Sequence, residues 1–525
     1  MSRTTLSERG EARMPDDGGQ DPASSGGLRR ALPRVALVVA AGAGALLAVG
    51  AFLGLYVRPT SDDWCALWKA RDMGVLGITA DFYDTQNGRV TNAFLTGLLY
   101  SDGMRGPKLL PAFLVVALAA GLFLLARAAL RSLHRATAVR TGPAEPARQP
   151  TVPLVAVAAL LPALLFFAGT RSYQVLLWAP ATISHTLPSV IGLWTVLGAV
   201  RAARCGVRWA RTAAVGSALL VGAALGMLSE PFTLVAGLFT ATVGILCLPR
   251  FGWTKDRYVS TWCAGACLGL LIGLVLLYTS PGARWRRAQH PPEPLSAAEL
   301  GATFHDWWRL WQTVGGQWAY LGAVAVGALL GLALATAGAR RDGGAPHGSA
   351  AGLPPRWLFL VAVLLPLPLI ALGSLAVVFG LRSGYGDVGW TYGRTWTSFL
   401  LPLLLVLCAY GAWGGSLLGR RLLESPRPAG RAAALVAIGA VAVGSAAALV
   451  QPVYALTTET VVRAAAWDRQ NARIRAEVAA GARDVGYEPL LIGGLTEPLF
   501  ASSYARDWAA QCTATYYGVD RIHRP

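Results

Sequence analysis

Residues 35–57 read VALVVAAGAGALLAVGAFLGLYV, an apolar run with no charged residue, followed at once by Arg58-Pro59-Thr60-Ser61-Asp62-Asp63-Trp64-Cys65. A transmembrane helix needs about 20 consecutive apolar residues, whereas a signal-peptide core has about 7–15. The run therefore predicts an uncleaved first membrane span. Ahead of it, residues 1–34 are polar, rich in Gly, Ser and charge, and without apolar periodicity, so they read as a disordered cytoplasmic tail.

Further apolar stretches lie near 109–129, 151–169, 186–200, 212–229, 232–248, 259–279, 319–338, 357–380, 398–417 and 432–452, which with the first makes about eleven. The whole chain of 525 residues is 54% hydrophobic and only 14% charged, and its mean hydropathy is +0.47. Soluble domains carry roughly a quarter charged residues, so the expectation is an all-α polytopic membrane protein. The net charge of +18 does not point to nucleic acid, because the Arg residues are spread over short inter-span loops. Loops 127–148, 201–211, 250–257, 340–356 and 420–431 hold 5, 4, 3, 3 and 4 basic residues, against one and two in loops 170–185 and 381–397. Lys and Arg are retained on the cytoplasmic side, which puts the amino terminus inside and the carboxyl terminus outside a bacterial plasma membrane. The Ala- and Gly-rich, Arg-over-Lys composition fits a high-GC bacterium. The domain plan is then a membrane domain over 35–452 and a small external α/β subdomain over 453–525. Within the tail, 463–483 reads as a charged helix and 489–492 as a strand. Function is expected in external loops 58–108, 280–318 and 381–397 and in the tail. No fixed-period repeat or inverted hydropathy symmetry is present.

Asp62 and Asp63 stand together just beyond the first span. One could act as a base on an acceptor hydroxyl while its neighbour orients it, holds a divalent cation or caps the helix. The plainer reading makes Ser61 or Asp62 the N-cap of a helix over 64–73. Downstream, Phe82-Tyr83-Asp84-Thr85-Gln86-Asn87-Gly88-Arg89-Val90-Thr91-Asn92 is a polar and aromatic cluster leading into an apolar helix towards Tyr100. Arg89 could pair with a lipid phosphate, or simply snorkel beside a turn at Asn87-Gly88.

The Asp-Asp pair after the first span and the aromatic-rich Asn-Gly-Arg stretch resemble the polytopic GT-C glycosyltransferase superfamily. Ser280-Pro281-Gly282-Ala283-Arg284 resembles the Pro-Gly-x-x-Arg region of uncharacterised bacterial members. Trp467-Asp468-Arg469, and Trp508 with Cys512 and Tyr516-Tyr517-Gly518, resemble their ending. Arg284 stands one residue closer to Gly282 than in the usual spacing, so Arg286 and Arg287 share its candidacy. The resemblance implies a GT-C-like membrane fold that moves a sugar from a polyprenyl-phosphate donor to an extracytoplasmic glycan, lipid or protein acceptor, with inversion. It makes Asp62 or Asp63 the base and places Arg89, Arg284, Arg286 and Arg287 at the donor phosphate, a group that Arg meets with paired hydrogen bonds.

Glu230, nearly alone in an apolar turn, could contact an acceptor hydroxyl, a neighbouring Arg, or His185. Of the 18 Trp, most suit a membrane-interface belt. Trp64 and Trp390 lie near charged loop residues and are the candidates for sugar contact, with Arg382 and Arg394 closing over the same pocket. Of seven Cys, only Cys65 and Cys512 fall outside the spans on the external side, so they either form a disulfide that clamps the tail over the first loop or remain two free thiols. No spacing resembles a zinc site, a Walker loop or a Rossmann fingerprint. The competing classes are a transporter or flippase for lipid-linked saccharides, an oligosaccharide ligase, and a non-catalytic component of envelope assembly. A transporter ordinarily places charges near mid-membrane, whereas this chain keeps nearly all of them in loops, and a ligase works through one long Arg- and His-bearing loop, against which the early Asp-Asp pair argues.

Overall fold

In a bilayer every backbone N–H and C=O must be satisfied within its own segment, so apolar stretches of this length become helices. The computed structural model describes residues 23–141, 150–169, 171–251, 256–289, 296–338, 360–361, 363–424, 428–492 and 504–525. Among them nine helical segments are long and apolar enough to cross a membrane: Arg30–Tyr56, Arg105–Ser132, Ala179–Cys205, Arg208–Gly226, Tyr258–Thr279, Trp318–Ala337, Pro366–Thr391, Gly393–Glu424 and Ala429–Ala479. The fold is that of an all-α polytopic membrane protein. The other two expected stretches are also helical, Thr151–Phe167 and Glu230–Leu246, but at 17 residues each they fall short of that length. Thr151–Phe167 is buried along almost its whole length, as a helix apolar on every side should be. Glu230–Leu246 starts abruptly, because the Ser229 hydroxyl accepts the Phe232 N–H and Pro231 occupies the first turn.

In chain order the helices are α1 (Ala23–Leu53), α2 (Asp62–Thr85), α3 (Val90–Tyr100), α4 (Arg105–Thr141), α5 (Thr151–Phe167), α6 (Ala179–His185), α7 (Leu187–Cys205), α8 (Arg208–Gly226), α9 (Glu230–Leu246), α10 (Tyr258–Thr279), α11 (Pro281–Gln289), α12 (Ala297–Gly315), α13 (Leu321–Gly338), α14 (Pro366–Tyr385), α15 (Thr397–Glu424), α16 (Pro428–Ala448), α17 (Val450–Ala479) and α18 (Trp508–Tyr517). Lipid gives helices no hydrophobic reason to associate, so close backbone approach at small residues does the work. Gly222 and Gly226 meet Gly269 and Gly273 across α8 and α10, and across α13 and α15 Gly327 and Gly331 pack on the backbone of Cys408 and Ala412 while Gly411 and Gly415 pack on that of Val324 and Ala328. A Cβ on Gly327 would lie 2.0 Å from the Cys408 carbonyl.

Three expectations change. Residues 23–34, read as disordered, are the first turns of α1, and the rest of that tail lies outside the described residues. Loop 127–148 is helical as far as Thr141, while 142–149 and the whole of loop 340–356 lie outside them. The tail strand is not 489–492: the strands are β1 (Asp484–Gly486) and β2 (Arg521–His523), paired in parallel with Asp484 opposite Arg521.

Only Leu449 separates α16 from α17, so the last span runs on as one rod of 51 residues, about 77 Å at 1.5 Å per residue. The tail returns along it to α2. Cys65 and Cys512 are joined in a disulfide. Trp64 is fully buried inside a ring of Trp467, Tyr487, Tyr516 and Tyr517, with centroids 5.3–6.1 Å away. Arg58 holds Asp468 through both carboxylate oxygens at 2.7 and 2.9 Å. Arg463 donates to the carbonyls of Arg58 and Pro59 at 3.2 and 2.8 Å.

Candidate functional site

The segment that Arg463 pins, Arg58 to Asp63, carries the one positive φ among the described non-glycine residues: Ser61 has φ 48°. Backbone held there is strained by about 1–3 kcal/mol and persists only where its surroundings dictate it. Here they do. Asp63 is fully buried, and its carboxylate accepts the Thr60 N–H at 3.0 Å and the Tyr100 hydroxyl from α3. Burial pushes its pKa up to about 7, against the opposing pull of those two donors. The Ser61 hydroxyl occupies the N-cap position of α2 without capping it, so the turn is built by Asp63.

Asp62, one residue back, faces the other way. It is half-buried and makes no side-chain hydrogen bond or ion pair among the described residues. Burial raises its pKa above the ordinary carboxylate value, while the charges of Arg394, Arg286 and Arg89 pull it down. Three cations and one unpaired carboxylate therefore share a site assembled from four distant stretches of chain.

Each Arg arrives by a different device. Arg89 follows the turn at Asn87-Gly88, where the Asn87 side chain accepts the Arg89 N–H at 3.0 Å. Gly88 has φ 72°, and a Cβ there would lie 2.5 Å from the Leu277 carbonyl and 2.0 Å from the Ser280 hydroxyl. Gly282 in turn packs on the backbone of Gln86, where a Cβ would meet its nitrogen at 2.6 Å. The Asn-Gly-Arg turn and the Ser-Pro-Gly segment thus touch backbone to backbone, and that contact sets α11 and Arg286 beside Arg89. Arg89 also grips Glu230 at the start of α9, at 2.8 Å, so the neighbouring Arg is one partner of Glu230. Arg394 lies in the bend before α15, stacked between Trp178 and Tyr392 with its guanidinium carbon 5.4 and 4.7 Å from their ring centres. It donates to Gln174 at 3.3 Å. Tyr385 stacks on Tyr392 at 4.6 Å.

The remaining candidates separate. Arg284 and Arg286 project from exposed positions of α11 with no side-chain partner among the described residues. Arg287 bends back instead, donating to the Tyr278 carbonyl at 2.7 Å and covering its ring. His185 is buried, its carbonyl accepting the Thr397 hydroxyl at 2.9 Å and its Nδ1 unpartnered, within the fields of Arg394 and Arg89.

Two candidates are corrected, Trp64 and Arg382. Trp64 is enclosed by protein rings and leaves no face for a sugar. Trp390 is half-buried with Arg309 over its ring, 4.5 Å from the centre. Arg382 ties α14 to α12 by pairing with Glu299 and with Asp306, the latter at 2.6 Å, so its charge is already matched. Sequence reasoning missed Gln174, Trp178 and Tyr392, whose roles come only from their contacts with Arg394. Among the described residues no group of three or more His, Cys, Asp or Glu is placed to hold a metal ion.

No family model, curated protein or solved structure matches the chain.

Proposed function

We propose that the chain is a membrane glycosyltransferase of the GT-C kind, moving a sugar from a polyprenyl-phosphate donor to an acceptor at the outer face of a bacterial plasma membrane. The observation that carries this reading is Asp62: an unpaired, desolvated carboxylate held among three arginines beside a membrane span. A base needs a free oxygen and a pKa lifted towards the working pH, and Asp62 has both. Asp63 has neither oxygen free, so its part is to hold the turn.

In the reaction, Asp62 takes the proton of an acceptor hydroxyl as that oxygen attacks the anomeric carbon. The carbon–oxygen bond to the lipid phosphate breaks, and the leaving phosphate keeps the electron pair with inversion at the sugar. Negative charge grows on the phosphate in the transition state, where preoriented Arg groups stabilise it most. Arg286 and Arg394 are suited to this, with Arg89 already steadied by Glu230.

The test is sugar transfer by protein in nanodiscs, offered a panel of radiolabelled polyprenyl-phosphate sugars together with a membrane extract as acceptor. Asp62→Asn is expected to lower turnover by about 10²–10⁴-fold, the worth of a positioned base, with the Cys65–Cys512 bond intact as a check on folding. Undiminished transfer by Asp62→Asn would remove Asp62 from the chemistry.

A further inference from the structure

Beside Thr60-Ser61 lies a cavity of about 230 Å³, walled by the stretch before α6 and by the start of α17. Its floor is Thr60 and Ser61, each 1% exposed, and both hydroxyls lack a hydrogen-bond partner. Trp178 on its wall is 6% exposed, and its indole N–H is also unpartnered. Arg171 and Glu459 line the same space, and neither has an ion-pair partner among the described residues. Buried polar groups are almost always satisfied, so three unmatched ones on residues that wall a single cavity mark a place where a ligand could supply the missing bonds.

We infer that this cavity binds the acceptor as a neutral sugar ring, with its hydroxyls bonded to Thr60, Ser61 and Trp178. The ligand class follows from the walls. Two hydroxyls that both donate and accept, an indole donor with a flat apolar face, and one charge of each sign suit a polyhydroxylated ring rather than an anion or an acyl chain. Position follows as well: Gln174 and Trp178 line the cavity and also hold Arg394, whose charge acts on Asp62. A ring seated here lies against Ser61, one residue from the Asp62 carboxylate, and beside the residues that hold Arg394. The inference rests on the glycosyltransferase reading for the word acceptor, but the cavity's preference for a sugar stands on its own residues.

Saturation-transfer NMR on the full chain in nanodiscs tests it, with a panel of methyl glycosides of neutral hexoses and pentoses as probes. At least one glycoside should receive saturation from the wild type. Ala455→Trp, which fills the cavity from the partly exposed side of α17, should abolish the signal. Trp178→Phe, which keeps an aromatic face but removes the indole N–H, should weaken binding about tenfold. No saturation of any glycoside, or binding that survives both Ala455→Trp and Trp178→Phe, overturns the inference. Asp62-dependent transfer with an acceptor KM untouched by Ala455→Trp would also overturn it while sparing the enzyme reading. Cavity-dependent binding in a protein that turns over no donor would uphold the sugar site and sink the enzyme reading.

Discussion

Asp62 and Asp63 differ by one residue and by about 100° around a helix axis, and that rotation gives them opposite environments. Asp63 turns inward to the Thr60 N–H and the Tyr100 hydroxyl, and burial lifts its pKa to about 7. An unfolded Asp titrates near 3.8, so between those values the folded chain binds the extra proton. Its contribution to stability is complete below about pH 4 and is lost as the pH rises through about 7. Thermal unfolding across that window should therefore show a downward slope with pH in the wild type that is flattened in Asp63→Asn; an equal slope in both would mean that the carboxylate is not the titrating group. Tyr100→Phe should cost about 1–3 kcal/mol, the usual penalty for leaving a buried acceptor short of a donor, measurable as a lower unfolding midpoint. The pair was legible in the sequence as a place where chemistry could occur. The division of labour was not, because adjacent positions look alike until the partners from α3 and from the Arg segments are known. Trp64 misled for the same reason: charged neighbours in sequence suggested a sugar contact, while the rings that enclose it come from residues 467–517.

At the scale of elements, the decisive joint is the contact between the turn at Gly88 and the segment that opens α11. A left-handed φ already disfavours any other residue by about 1–2 kcal/mol, and the Leu277 carbonyl leaves no room for a side chain. Gly88→Ala should push the turn off α11, separate Arg89 from Arg286, and lower transfer at least tenfold while the spans remain folded. Ser280→Gly added to Gly88→Ala removes the nearest side-chain atom but not the Leu277 carbonyl, so it should not rescue activity. Full rescue would show that the backbone approach is not the constraint. The apolar stretches that became helices could be read directly, since length and hydropathy determine them in a bilayer. The parallel pairing of β1 with β2 could not, because a three-residue strand carries no periodicity and its partner lies beyond α18.

Across the whole molecule, the tail is held to the first loop by the bond between Cys65 and Cys512, by the rings around Trp64, and by Arg58 and Arg463 reaching between the segments. The cysteines are 447 residues apart, and in a free chain closing so long a loop would carry a large entropy term. Here α1 and α17 already touch, so the bond restrains only the short lengths between the spans and the two cysteines. Its worth should be at or below the common 2–4 kcal/mol, comparable with the ring contacts rather than dominant over them. Cys65→Ser, Cys512→Ser and the double variant should therefore behave alike, each loosening the tail without releasing the membrane helices. Limited trypsin digestion in nanodiscs reads this directly, because α17 and the tail are rich in Arg. Faster cleavage after Arg473, Arg475 or Arg483 in all three variants is expected, along with a fall in transfer, since Arg463 on the same helix steadies the strained turn that presents Asp62. If cleavage quickens but transfer does not fall, Arg463 and the ring cage alone hold Ser61 in its conformation, and the disulfide protects the tail without setting the site.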